Sequence, residues 1–182
     1  MFEHLLSRLA EAFDAAGLPY MVIGGQAVLL YGEPRLTQDI DVTVGVAPDR
    51  LPDVLAALTD VGIRPLVDAA FVEETLVLLC EDADSRIRID VVFSFSGYER
   101  EALRRTRRVD VAGTAVRFAS LEDLLVHKIV AGRPRDIEDV RGVLLKAEEV
   151  DVAYLRRWLT EFSDALGQPF LDTFESLYRE TR

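Results

Sequence analysis

The sequence predicts an α/β fold of the α+β kind, a mixed β-sheet flanked by helices and followed by a helical C-terminal portion. Three observations carry that expectation. Apolar and polar residues alternate with a period of two in D-I-D-V-T-V (39–44) and R-I-R-I-D-V-V-F (86–93), the mark of strands with one buried face. Apolar residues recur at steps of three and four over 3–16 and 48–62, the mark of amphipathic helices. From Ser120 onward only the helical period remains. The expected division is an α/β core over 1–118 and a helical portion over 119–182 packed on it.

In chain order, Leu5, Leu6, Leu9, Ala12, Phe13 and Ala16 line one side of a helix over 3–16, which Gly17 stops. Y-M-V-I (20–23) reads as a short buried strand broken by Gly24-Gly25. Q-A-V-L-L-Y (26–31) is assigned to a two-turn helix ending at Gly32. The strand over 39–44 follows a polar connection, then a helix over 48–62 with Leu51, Val54, Leu55 and Leu58 on one side. Residues 63–79 are expected to hold one or two strands, T-L-V-L-L being the clearer. After the strand over 86–93 come a helix from Tyr98 to Arg105 and a hairpin over 109–118 turning at Ala112-Gly113. Ser120-Leu121-Glu122-Asp123 opens a helix with a start like a capping box, and three more segments follow near 135–148, 151–165 and 169–181.

A chain of 182 residues, 49% hydrophobic and 29% charged, suits one compact domain or a domain with a helical appendage. Its 21 basic and 32 acidic residues give a net charge of −11, which disfavours indiscriminate binding to nucleic acid or anionic membrane. A local basic groove stays open, because Arg86, Arg88, Arg100, Arg104, Arg105, Arg107 and Arg108 crowd the middle of the chain. Cys80, the only cysteine, sits in an apolar run and reads as a buried inert thiol; it excludes an internal disulfide and a cysteine-based zinc site. The N-terminus lacks the apolar region of a signal peptide, and no run is long enough to span a bilayer, so a cytoplasmic protein without membrane attachment is expected.

Two carboxylates interrupt the strand over 39–44. Asp39 and Asp41 project to the same face, with Ile40 and Val42 turned the other way. So close, they repel unless a divalent cation joins them, and oxygen-only ligands favour Mg²⁺ or Mn²⁺. Asp90, on the polar face of a second strand, is the candidate third ligand, and three carboxylates can hold two ions beside a transferring phosphoryl group. The bland alternative is a charged strand edge that discourages edge pairing. Gly24-Gly25 lets backbone N–H groups approach a phosphate at a helix N-terminus, or is a plain strand-to-helix turn. Lys128 falls on the apolar stripe set by Leu121 and Leu124, so its ammonium snorkels, pairs with Asp136 or Asp139, or meets a bound anion. His4 and His127 read as surface or packed residues, and Trp158 as core.

The succession I-G-G (23–25), a short helix, then R-L-T-Q-D-I-D (35–41), with a later lone carboxylate in R-I-D-V-V, resembles the nucleotidyltransferase superfamily, the polymerase-β-like group. It is most similar to the small bacterial branch that includes abortive-infection toxins of the AbiEii type. Gly24-Gly25 stands where many superfamily members have Gly-Ser. The resemblance spans roughly residues 1–120 and implies transfer of a nucleoside monophosphate from an NTP to a hydroxyl. It implies Gly24, Gly25, Arg35, Thr37 and Lys128 at the phosphates. Asp39, Asp41 and Asp90 become metal ligands and catalytic residues, with Asp90 near the attacking hydroxyl. Asp136 becomes an outer supporting carboxylate or helper base. The acceptor it suggests is a tRNA 3′ end, with a protein hydroxyl and an aminoglycoside-like small molecule as alternatives; the arginines of 100–108, which follow the strand of Asp90, read as a solvated face or as a guide for an RNA backbone on the Asp90 side. A cognate antitoxin, and a non-catalytic nucleotide-binding module on the same fold, also stay in view, and the oligomeric state is open.

Overall fold

The computed structural model describes residues 1–34 and 36–182; Arg35, expected at the phosphates, lies outside the described residues. The chain divides into two compact units, Met1–Gln26 with Leu36–Ala119, and Ala27–Arg35 with Ser120–Arg182. Among the described residues no helix is long and apolar enough to cross a membrane.

The first unit holds the whole sheet. In chain order its elements are α1 (Phe2–Ala15), β1 (Tyr20–Ile23), the start of α2 (Gly24–Tyr31), β2 (Asp39–Val44), α3 (Leu51–Asp60) and β3 (Ile63–Pro65). Then come α4 (Ala69–Thr75), β4 (Val77–Asp82), β5 (Arg88–Phe93), α5 (Gly97–Arg104), β6 (Arg107–Val111) and β7 (Thr114–Phe118). Among the described residues seven strands form the sheet, in the order β3-β4-β5-β2-β1-β7-β6. β2 is parallel to β5 and β1 to β7, while the other neighbours are antiparallel, so the sheet is mixed.

The period-two pattern becomes two unlike faces. Ile40, Val42, Val44, Leu78, Cys80, Ile89, Val91 and Phe93 are at most 1% exposed on one of them. Each large side chain buried there is worth roughly 1.5–3 kcal/mol. α1 covers that face: Phe13 packs on Tyr20 with ring centroids 5.2 Å apart, and Arg8 pairs with Asp82. The other face carries Asp39, Asp41, Leu79, Arg88, Asp90 and Val92, all partly or well exposed.

Three details depart from the sequence-based expectation. Within 63–79 the chain forms β3, α4 and the start of β4 rather than strands alone. The Asp68 carboxylate accepts the Phe71 N–H at 2.9 Å and caps α4, and Leu76, with φ 59°, ends it and swings the chain into β4. β5 starts at Arg88, not Arg86, because Arg86 has φ 62° in a turn held by the Ser85 N–H and hydroxyl on Asp82. α2 starts at Gly24 itself, so the glycine pair is its first turn.

The second unit contains the rest of α2 and α6 (Leu121–Ala131), α7 (Pro134–Lys146), α8 (Val152–Leu166) and α9 (Phe170–Glu180). Leu124, Leu125, Val140, Leu144, Leu155, Leu159 and Phe174 form its core, with Trp158 buried beside them. Ser120 caps α6 by accepting the Asp123 N–H at 3.1 Å, and Tyr154 of α8 donates to the buried Asp123 carboxylate at 2.7 Å.

Candidate active site

Strand register assembles the carboxylates. The β2–β5 pairing aligns Asp41 with Asp90 and Asp39 with Arg88, so all four side chains stand on the open face. Paired strands lie about 4.8 Å apart, which puts Asp41 and Asp90 side by side although they are distant in sequence. On the other flank of β2, Ile23 of β1 aligns with Asp41, and the chain then turns at Gly24 with φ 64°. A Cβ on Gly24 would fall 1.9 Å from Asp41 Oδ2 and 2.7 Å from its Cγ. The Asp41 carboxylate therefore rests against bare backbone that only glycine provides. Gly25 is buried in the first turn of α2.

The contacts of these groups bear on what they can bind. Asp39 Oδ1 accepts from the Thr37 hydroxyl at 3.1 Å, so Thr37 is turned toward the carboxylate strand. Asp90 Oδ1 is buried and has no hydrogen bond among the described residues; Arg88 Nη2 faces it at 3.7 Å. Burial raises the Asp90 carboxyl above the usual carboxylate range, Arg88 opposes this, and Asp39 adds to it. A desolvated carboxylate oxygen without a donor, in an all-oxygen set, fits a hard divalent cation. Among the described residues no three His, Cys, Asp or Glu side chains are gathered closely enough to hold an ion. The three carboxylates are neighbours on one face, with Asp39 engaged by Thr37 and Asp90 facing Arg88.

Lys128 belongs to the second unit and is only 6% exposed. Its ammonium meets Asp136 Oδ1 at 2.7 Å and Asp139 Oδ2 at 2.8 Å, tying α6 to α7. Of the three outcomes open from the sequence, pairing is realised, and with both carboxylates. Asp136 also takes the Arg133 Nε–H at 2.6 Å. Burial pushes the Asp136 carboxyl up, but hydrogen bonds from Arg133 and Lys128 outweigh it and hold the group below its usual range.

The arginine run of 100–108 is placed away from Asp90. α5 follows the far end of β5, and its Leu103 lies where a Cβ on Gly45 would be, just past the end of β2 remote from Asp39. β6 is an edge strand separated from β5 by β2, β1 and β7. What borders Asp90 instead is Arg88, with Glu81 and Arg64 aligned beyond it on β4 and β3. The sequence held one sign of this, the R-I-R-I-D alternation that puts Arg88 and Asp90 on the same face.

Residues 2–175 match the family described as nucleotidyltransferase of unknown function, DUF6036. Among solved structures, the antibiotic-resistance factor ANT(2'')-Ia in solution is similar at TM-score 0.62 and 21% identity, over 91% of this chain and 94% of that one. A crystal structure of ANT(2'')-Ia in complex with adenylyl-2''-tobramycin gives TM-score 0.58 and 20% identity, over 97% and 98%. An antigenic nucleotidyltransferase-like protein from Paracoccidioides brasiliensis gives TM-score 0.61 and 18% identity, over 97% and 91%. At these identities the likeness speaks for the fold. No curated protein matches the chain. With a family match running over nearly its whole length, the chain belongs to this nucleotidyltransferase family and is a nucleotidyltransferase enzyme.

Proposed function

We propose that the enzyme moves a nucleoside monophosphate from an NTP to a hydroxyl at the open face of β2 and β5, with Asp39, Asp41 and Asp90 as the carboxylates that hold divalent cation. The observation that carries this is the alignment of Asp41 with Asp90, beside a glycine whose missing side chain makes room for the Asp41 carboxylate. A bound Mg²⁺ or Mn²⁺ would supply charge neutralisation at the phosphates and acidify the attacking hydroxyl. Gly24 and Gly25 offer backbone N–H groups at the start of α2 to the triphosphate. Asp90, on the face where the attacking hydroxyl is needed, accepts its proton. That oxygen forms the new bond to the α-phosphorus, the bond to the β-phosphate oxygen breaks, and pyrophosphate leaves. Thr37 orients Asp39 through its 3.1 Å hydrogen bond. Lys128, by family resemblance, meets phosphate with the N–H that its two carboxylates leave over.

The acceptor we favour is an RNA 3′ end. A cationic small molecule is the second reading, favoured by the net charge of −11 and by the ANT(2'')-Ia likeness, whose complex holds adenylyl-2''-tobramycin. Incubation with each NTP, Mg²⁺ or Mn²⁺, and tRNA, protein or aminoglycoside pools, read by mass spectrometry, identifies nucleotide and acceptor together. The parent modifies one pool and Asp41→Asn does not; transfer undiminished in Asp41→Asn sinks the assignment of the carboxylates.

A further inference from the structure

The open face continues past Asp90 as a row of alternating charge. Strand pairing aligns Arg64 with Glu81, Glu81 with Arg88, and Arg88 with Asp39, so these side chains share the face of Asp41 and Asp90. Arg86 joins them from the turn before β5. Arg64 Nε donates to Glu81 Oε1 at 2.7 Å, and Arg86 Nη1 lies 3.0 Å from the same oxygen. The Glu81 residue is 7% exposed, whereas the side chains of Arg64, Arg86 and Arg88 are 50%, 64% and 58% exposed. One buried carboxylate thus anchors two guanidinium groups, Arg64 through both Nε and Nη2 and Arg86 through Nη1, and both side chains stay half or more exposed. The third, Arg88, stands 3.7 Å from Asp90, beyond hydrogen-bond length. Arg86 holds this place with φ 62°, the left-handed region that favours glycine. A glycine makes the same turn without that strain.

We infer that Arg64, Arg86 and Arg88 form the acceptor-side subsite of the transfer centre, and that it takes the phosphodiester backbone of single-stranded RNA. This rests on the reading of Asp39, Asp41 and Asp90 given above. Planar guanidinium forks match phosphate oxygens, and three of them along one sheet face lead to Asp90, where the attacking hydroxyl is needed. A cationic acceptor would be repelled at the same place. The net charge of −11 disfavours holding a polyanion along the whole protein, so a local cluster of guanidinium groups is what such a partner requires.

The test uses the full chain and a fluorescently labelled single-stranded oligoribonucleotide with a free 3′ hydroxyl, its binding followed by anisotropy across a salt titration. The variant is Arg86→Gly with Arg88→Gln. Glycine suits φ 62°, and Arg64 stays to pair with Glu81, so the fold is kept. Loss of two phosphate contacts should flatten the log-log salt slope by about 1.4 and weaken binding about tenfold or more, while calorimetric NTP binding stays unchanged. Arg104→Gln with Arg108→Gln should alter neither. Unchanged oligonucleotide affinity and slope in the Arg86/Arg88 variant, with NTP binding intact, overturns the subsite and leaves the transfer reading standing. No binding of the oligonucleotide by the parent at low salt overturns it as well. Loss of nothing in Asp41→Asn, by NTP and Mn²⁺ calorimetry, is the separate result that removes the transfer centre itself.

Discussion

Gly24→Ala gives the sharpest probe of the candidate site. Two costs meet there. An alanine at φ 64° pays roughly 1–2 kcal/mol for the left-handed conformation. Its Cβ would also sit 1.9 Å from Asp41 Oδ2, 2.7 Å from Cγ and 2.9 Å from Cβ. Rotating the Asp41 side chain relieves the first two approaches and not the third, so the backbone must give as well. Overpacking of this kind costs about 1–3 kcal/mol. Gly17 supplies the control, since it has φ 63° and nothing within 4 Å of a built Cβ. Gly17→Ala should therefore lose roughly 1–2 kcal/mol, and Gly24→Ala roughly 2–5 kcal/mol, in urea unfolding. Calorimetry with NTP and Mn²⁺ should show binding weakened only in Gly24→Ala, where the Asp41 carboxylate has been displaced. Equal stability losses in the two variants, with NTP binding retained in both, would refute the packing of Asp41 on Gly24 as the basis of the site.

Other perturbations separate roles that share a neighbourhood. Asp41→Asn should weaken binding of metal with NTP, while urea unfolding shows stability unchanged or slightly raised, because it relieves carboxylate crowding on β2 and β5. Lys128→Met should lower stability by roughly 3–5 kcal/mol, since it leaves Asp136 and Asp139 buried without their shared cation; NTP affinity measured in the folded variant decides whether the lysine also meets phosphate, and unchanged affinity retires it from the site. Asp82 is held below its usual range: burial raises it, but hydrogen bonds from Ser85 and Arg8 and the Arg8 charge prevail. Its contribution is therefore present above the unfolded carboxylate pKa of about 4 and lost as pH falls through the lower folded value, so the acid limb of the pH–stability curve should flatten in Asp82→Asn. Replacing Arg104, Arg105, Arg107 and Arg108 together by glutamine should leave acceptor modification at the parental rate in the mass-spectrometric assay, because three strands separate β6 from β5 and α5 follows the end of β5 remote from Arg88.

Much of this was legible along the chain because it is local. The alternation in D-I-D-V-T-V and R-I-R-I-D-V-V-F names the buried and open faces of β2 and β5; β2 spans the residues its period gave, and β5 is shorter by the two residues of the turn at Arg86. α4 escaped notice because seven residues are too few for a helical period to outweigh the β-prone flanks, and its cap, Asp68, has no capping-box partner. The alignment of Asp41 with Asp90 is a matter of register between distant segments, which residue spacing does not encode. The arginine run misled for a related reason. It follows the strand of Asp90 in sequence, but β5 carries the chain to the opposite end of the sheet before α5 begins. Lys128 was singled out by its place on an apolar stripe, yet only the crossing of α6 and α7 shows that two carboxylates share its charge.

Cys80 lies on β4 directly across from Ile89 and is 1% exposed. Burial, with the nearby Asp90 charge, pushes its thiol up to about 12. At neutral pH the reactive thiolate is then on the order of one part in 10⁵, and reagents have no path to it. The native chain is in effect thiol-silent. A cysteine installed at an exposed position such as Arg88 or Arg104 would be the one that maleimides and spin labels find, with no need to remove the natural residue first. Distances and mobilities at the rim of the sheet can thus be recorded spectroscopically in a protein whose interior is left untouched.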